Sequence, residues 1–209
     1  MPRISERLWN ENIEYAEKCL SHPFVRGIAD GTLKERHFKT YIAQDVFYLQ
    51  AFLRSYAFAM SKSDEIGVTK ELHALIGGIL EEIKLHESYS SKLGISLTGI
   101  KPIKECSAYT TFLLDKAANS GIGETMAAMA PCVVLYHFLG RELEKIKNPS
   151  TQYNEWIMTY SGNEMARLAE KIQLLLDKNA PDTQEVHDTY KNAMRHELDF
   201  FSGPLRENG

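Results

Sequence analysis

The chain has 209 residues, with 24 Lys and Arg against 28 Asp and Glu and a formal net charge of −4. Its basic residues are scattered, which argues against a nucleic-acid partner, and no uninterrupted apolar run approaches the roughly 20 residues that span a bilayer. The N-terminal "MPRISERLWNENIEYAEKCL" lacks a signal-peptide core, so the expectation is a soluble, cytoplasmic protein of one domain, residues 1–209.

Apolar residues recur at intervals of three and four almost throughout, and alternating β-branched runs are absent, which predicts an all-α chain. The predicted helices cover about 4–20, 34–60, 65–92, 103–119, 123–147, 151–178 and 182–201, separated by "SHPF", "SLTGIKP", "NSGIG" and "NAPD". The first carries Cys19; with Cys106 and Cys132 it makes an odd set without CxxC spacing, read as free thiols.

In the second helix, Tyr41, Asp45, Tyr48 and Phe52 follow i, i+4, i+7, i+11. Asp45 therefore projects from an aromatic inward stripe and needs a partner. That partner is either a local hydroxyl at the stripe's edge or a bound group. In the third, Glu82, His86 and Tyr89 share a face with Ile79, and His86 reads as a satisfied core histidine or as a ligand.

The fifth contains "MAPCVVLYHFLG". A buried free cysteine is commonly inert filler, yet Pro131 removes a backbone donor and leaves the Ala127 carbonyl without its helical partner. Tyr136 lies one turn beyond Cys132 on the same face, so a pocket wall is the competing reading. In the sixth, Trp156, Tyr160 and Asn163 form a stripe ending in polar groups. In the last, Asp182 and Glu185 have the form of a capping box, Glu197 sits among Met194, Leu198 and Phe201, and the terminal "GPLRENG" is expected to fray.

Two metal readings meet obstacles. Ferritin-like di-iron bundles use Glu-x-x-His pairs, and no Glu here has His three residues later. A haem-binding role would use His22, which precedes Pro23 in a turn. No metal or cofactor is expected.

"SHPFVRGIADGTLKERHFKTYIAQDVFYLQAF", "APCVVLYHFLGREL" and "HELDFF" resemble, in order and spacing along nearly the whole chain, the TenA/THI-4 family of thiaminase II and aminopyrimidine aminohydrolases. The resemblance implies a multihelical haem oxygenase-like bundle without haem, commonly a homotetramer (a homo-oligomer of two or four copies), working in thiamin salvage. It is with the family's cysteine-containing members. By motif position it implies Cys132 as nucleophile and Glu197 as the second catalytic group. Asp45, Tyr48, His86, Tyr109, Tyr136, Tyr160 and Phe200 would bind an aminopyrimidine or thiamin, with Tyr48 and Phe200 sandwiching its ring. Glu82, Cys19 and Cys106 receive no functional role. A non-catalytic, regulatory pyrimidine-binding protein is the alternative.

Overall fold

The computed structural model describes residues 2–92, 94, 95, 99–146 and 152–206, without the side chains of 85–89, 91 and 92. Among the described residues all regular structure is helical: α1 (Ile4–Glu11), α2 (Ile13–Ser21), α3 (Pro23–Asp30), α4 (Glu35–Ser61), α5 (Ile66–Lys92), α6 (Lys104–Asn119), α7 (Ile122–Glu144), α8 (Asn154–Ser161), α9 (Asn163–Asn179) and α10 (Gln184–Arg206). The all-α expectation holds.

α7 is the central helix. It is apolar on almost every face because α6, α8, α9 and α10 surround it, the pattern of a helix buried all round. By length and composition it is also apolar enough to cross a membrane, though most of that segment is buried within the protein. α4 sends Phe38, Tyr41, Ile42, Asp45, Leu49, Phe52 and Tyr56 inward at three- and four-residue steps, and a short connection returns α5 along it. Phe24, Tyr41 and Phe201 pack together with ring centroids 5.2–6.4 Å apart, and each such buried side chain contributes about 1.5–3 kcal/mol.

Several helix boundaries differ from the sequence reading. The first predicted helix divides at Asn12, whose buried side-chain amide donates to the Leu8 carbonyl at 2.9 Å; such local bonding competes with the helical ladder. "PFVRGIAD", left between helices, forms α3. Pro23 suits the first helical position, His22 Nδ1 accepts from the Phe24 amide at 3.2 Å, and Gly31 closes the helix at φ 76°. The 151–178 helix breaks at Gly162.

The N-cap of α10 is Thr183, whose hydroxyl accepts from the Val186 amide at 3.4 Å. Asp182 is instead drawn to His187 at 2.9 Å and to Arg7. The fraying expected of "GPLRENG" does not occur up to Arg206, and 207–209 lie outside the described residues. α10 runs to Arg206 with Gly203 and Pro204 buried, because His37 donates to the Pro204 carbonyl at 2.8 Å and Arg206 pairs with Glu105 at 2.7 Å.

Candidate active site

The inward stripe of α4 forms one wall of a cavity of about 380 Å³, within the range of small-molecule sites. Asp45, Tyr48, Phe52 and Tyr56 come from α4, Glu82 from α5, Tyr109 from α6, Cys132 and Tyr136 from α7, Tyr160 from α8, and Glu197 and Phe200 from α10. Ala74 and Gly78 of α5 face Glu164 and Arg167 of α9 where the cavity meets solvent. The two helices are tied by Lys171–Glu71 at 2.5 Å, and Lys178 of α9 pairs with Glu65, the residue just before α5.

Of the residues singled out in the sequence, Asp45, Tyr48, Tyr109, Cys132, Tyr136, Tyr160, Glu197 and Phe200 all line this one cavity. The side chain of His86 lies outside the described residues. Cys132 is partly exposed, whereas Cys19 and Cys106 are buried, and Cys106 donates to the Gln44 carbonyl at 3.5 Å.

Two hydroxyl contacts organise the walls. Tyr109 donates to Glu197 Oε1 at 2.6 Å, and Tyr41 donates to the Tyr136 hydroxyl at 3.2 Å while accepting from Trp156 Nε1 at 3.5 Å. Tyr136 meets Tyr160 edge-on at 4.8 Å between centroids. A sandwich needs two parallel rings roughly 7 Å apart, twice a van der Waals contact. Tyr48 and Phe200 stand only 5.8 Å apart at 56°, so in this structure they touch each other and offer a flat ligand an edge and a face on one side.

Gly140 fixes the placement of Tyr160. A Cβ at this position would overlap the backbone of Tyr160 and Ser161, so only glycine lets α8 lie this close to α7. His137 Nδ1 donates to the Tyr160 carbonyl at 3.0 Å and holds the same junction.

A family model described as TENA/THI-4/PQQC matches residues 9–207. The chain belongs to that family. An aminopyrimidine aminohydrolase of Halalkalibacterium halodurans is 33% identical over 78% of this chain and 76% of its own, and one of Bacillus subtilis is 29% identical over 99% and 92%. The solved structure of a TenA homologue from P. horikoshii superposes with a TM-score of 0.91 at 25% identity, covering 98% of this chain and 99% of that one. The bundle seen here is thus the TenA fold.

Burial governs the ionisable groups of this TenA cavity. It raises Asp45 to about 7 and Glu197 to about 8, the latter against the lowering effect of the Tyr109 hydrogen bond and with a further rise from Asp45. The Cys132 thiol is pushed well above its ordinary value, first by burial and then by the charge of Glu197, with Tyr48 opposing. Burial thus favours a protonated thiol beside carboxyl groups poised near neutrality.

The sequence reading did not single out Tyr56, Arg167 or Lys171. Tyr56 continues the α4 stripe eleven residues after Asp45, a signal present in the spacing. Arg167 and Lys171 sit on the partly exposed face of an amphipathic helix, where nothing in the sequence distinguishes them from solvated charges.

Proposed function

We propose that this TenA-family chain is a thiamin-salvage hydrolase that converts 4-amino-5-aminomethyl-2-methylpyrimidine and water to the hydroxymethyl pyrimidine and ammonia, with thiamin as a second substrate. The observation that carries the reading is the convergence of a thiol and two buried carboxyl groups, Cys132, Glu197 and Asp45, on one aromatic-lined cavity. The relatives named aminopyrimidine aminohydrolase supply the substrate class.

Direct displacement at the exocyclic methylene is slow, and covalent addition divides it into easier steps. Ionised Glu197 takes the Cys132 proton, and the thiolate sulfur bonds to ring carbon C6. The electron pair moves to the adjacent ring nitrogen, which receives the proton held by Glu197. The ring nitrogen's electrons then expel the leaving group as the C–N bond breaks, and an exocyclic alkene remains.

Water adds to that alkene and loses a proton, the C6–S bond breaks, and the ring nitrogen returns its proton through Glu197 to the departing sulfur, restoring the aromatic ring and the Cys132 thiol. Cysteine suits both ends of this sequence because its sulfur attacks and departs readily. Asp45 anchors the ring through its nitrogen and amino group. Tyr136 and Tyr160 direct the leaving group and the incoming water.

The test is steady-state hydrolysis of the aminomethyl pyrimidine and of thiamin by wild type and Cys132→Ser. Turnover that vanishes in the variant supports the reading. Turnover that survives removes the nucleophile, and no turnover of either substrate by wild type removes the enzyme.

A further inference from the structure

Away from the cavity, the end of α1 meets the start of α10 around a polar hollow whose charged walls are Arg7, Glu11, Asp182, His187, Asp188 and Lys191. The His187 amide closes the first turn of α10 on the Thr183 carbonyl at 3.2 Å, and its side chain is only 17% exposed. Its Nδ1 lies 2.6 Å from Glu11 Oε2 and its Nε2 lies 2.9 Å from Asp182 Oδ1. A carboxylate only accepts hydrogen bonds, and a neutral imidazole carries a single N–H. Both contacts are hydrogen bonds only when both nitrogens carry hydrogen, so the ring held in this geometry is an imidazolium.

The charges close on themselves. Arg7, one turn before Glu11 on α1, pairs with Asp182 and lies 4.0 Å from Glu11. Arg7, Asp182, His187 and Glu11 therefore make a ring of alternating sign, balanced while His187 is protonated. Loss of that proton leaves two carboxylates facing one guanidinium. Of the other charged walls, Asp188 accepts from Gln184 at 3.0 Å, and Lys191 stands one turn further along α10.

Helix electrostatics makes the pairing matter more. Glu11 is the last residue of α1, where the helix dipole disfavours an anion, and His187 is in the first turn of α10, where it disfavours a cation. Each charge is misplaced in its own helix and is compensated across the junction. Burial opposes the imidazolium, but the hydrogen bonds and charges of Asp182 and Glu11 outweigh it and hold His187 above its ordinary value.

We propose that His187 is a proton-operated clasp, closed as an imidazolium that fastens the end of α1 to the start of α10 and released when the ring loses its proton. The clasp stands apart from the activity proposed above and does not depend on it. Because the folded-state value lies above the unfolded one, its contribution is fully present below about pH 6.5 and is lost as pH rises through the folded value. α10 carries Glu197 and Phe200 to the cavity, so the clasp secures at its first turn the helix that serves the site.

The experiment follows the His187 imidazole by NMR from pH 5 to pH 10 in wild type, Glu11→Gln and Asp182→Asn, with His187→Gln identifying the signal. Hydrogen exchange of the α1 amides, corrected for the intrinsic rate at each pH, reads the clasp itself. Expected is a wild-type midpoint above about 6.5 that falls in each carboxylate variant. Between pH 6 and pH 10, α1 protection should drop roughly twofold to fivefold further in wild type than in His187→Gln, the range of a surface charge network. Asp45 and Glu197 titrate in both proteins, so the difference between the two belongs to His187.

A midpoint at or below about 6.5, a midpoint that either carboxylate variant leaves in place, or an equal pH dependence of α1 protection in the two proteins overturns the proposal. If His187→Gln does not fold, Glu11→Gln, whose native side chain is 47% exposed, takes its place in the exchange comparison, because it removes the α1 half of the clasp.

Discussion

Tyr109 donates its phenolic hydrogen to Glu197 across 2.6 Å, joining α6 to α10 inside the cavity. This bond favours the ionised carboxylate, while burial and Asp45 favour the acid, and the outcome is a group poised at about 8. In the proposed mechanism Tyr109 would act through Glu197, as a positioning residue.

Tyr109→Phe should raise the Glu197 value further, since the bond it removes is the one that lowers it. Because the proposed base is the ionised form, the acidic limb of the kcat profile should move to higher pH, with a fall of about tenfold at neutral pH. A pH–rate series for the two proteins checks this; an unmoved limb with lower kcat at every pH would detach Tyr109 from Glu197.

Cys132→Ala should abolish turnover by at least roughly a thousandfold, the scale seen when a nucleophile is lost, and leave pyrimidine binding within a few-fold. Calorimetric titration with the hydroxymethyl pyrimidine measures the second half of the expectation.

Asp45→Asn should weaken recognition of the ring by about ten- to a hundredfold in KM, with a smaller effect on kcat. In the proposed mechanism Asp45 holds the ring while Glu197, equally buried at 2% against 6% exposure, exchanges the reacting proton. Equal values of both constants in variant and wild type would remove it from the binding machinery.

The buried acids also set a pH dependence of stability. Unfolded, Asp and Glu titrate near about 4; folded, Asp45 and Glu197 titrate at about 7 and about 8. Between those limits the folded chain binds more protons than the unfolded one, so these two groups make stability fall as pH rises through that window and level off above it. Glu197→Gln lacks one of the two costs. Its melting temperature relative to wild type should increase from pH 5 to pH 9, by about 2–4 °C for each kcal/mol, while activity is lost.

Gly140→Ala should destabilise the fold by about 1–3 kcal/mol, as overpacking does, because the added carbon overlaps the Tyr160 backbone. Thermal unfolding with steady-state kinetics tests it. The expected result is a lower melting temperature with kcat/KM reduced at the same time.

What the sequence disclosed follows from how far each signal reaches. A carboxylate in an aromatic stripe, such as Asp45 or Glu197, contradicts its own helical periodicity, and that contradiction is local and visible. The breaks at Asn12 and Gly162 are harder to see, because a single amide-to-carbonyl bond or one extended residue divides a helix without disturbing the apolar pattern. α3 was passed over because "HPF" reads as a turn, while Pro23 and Gly31 frame one short helix. The tilt between Tyr48 and Phe200 depends on how α4 and α10 cross, and no spacing encodes that. Arg167 and Lys171 reach the cavity only because α9 is drawn to α5, a tertiary event with no trace in their neighbours.

The close seating of α8 on α7 through Gly140 bears on redesign. With the main chain of Tyr160 clamped from behind, position 160 is a fixed pedestal on which side chains can be exchanged while the platform stays still. A library restricted to that position would sample chemistry at one set of coordinates. Altered preferences among its members would then report the new side chain itself, undiluted by shifts in the scaffold.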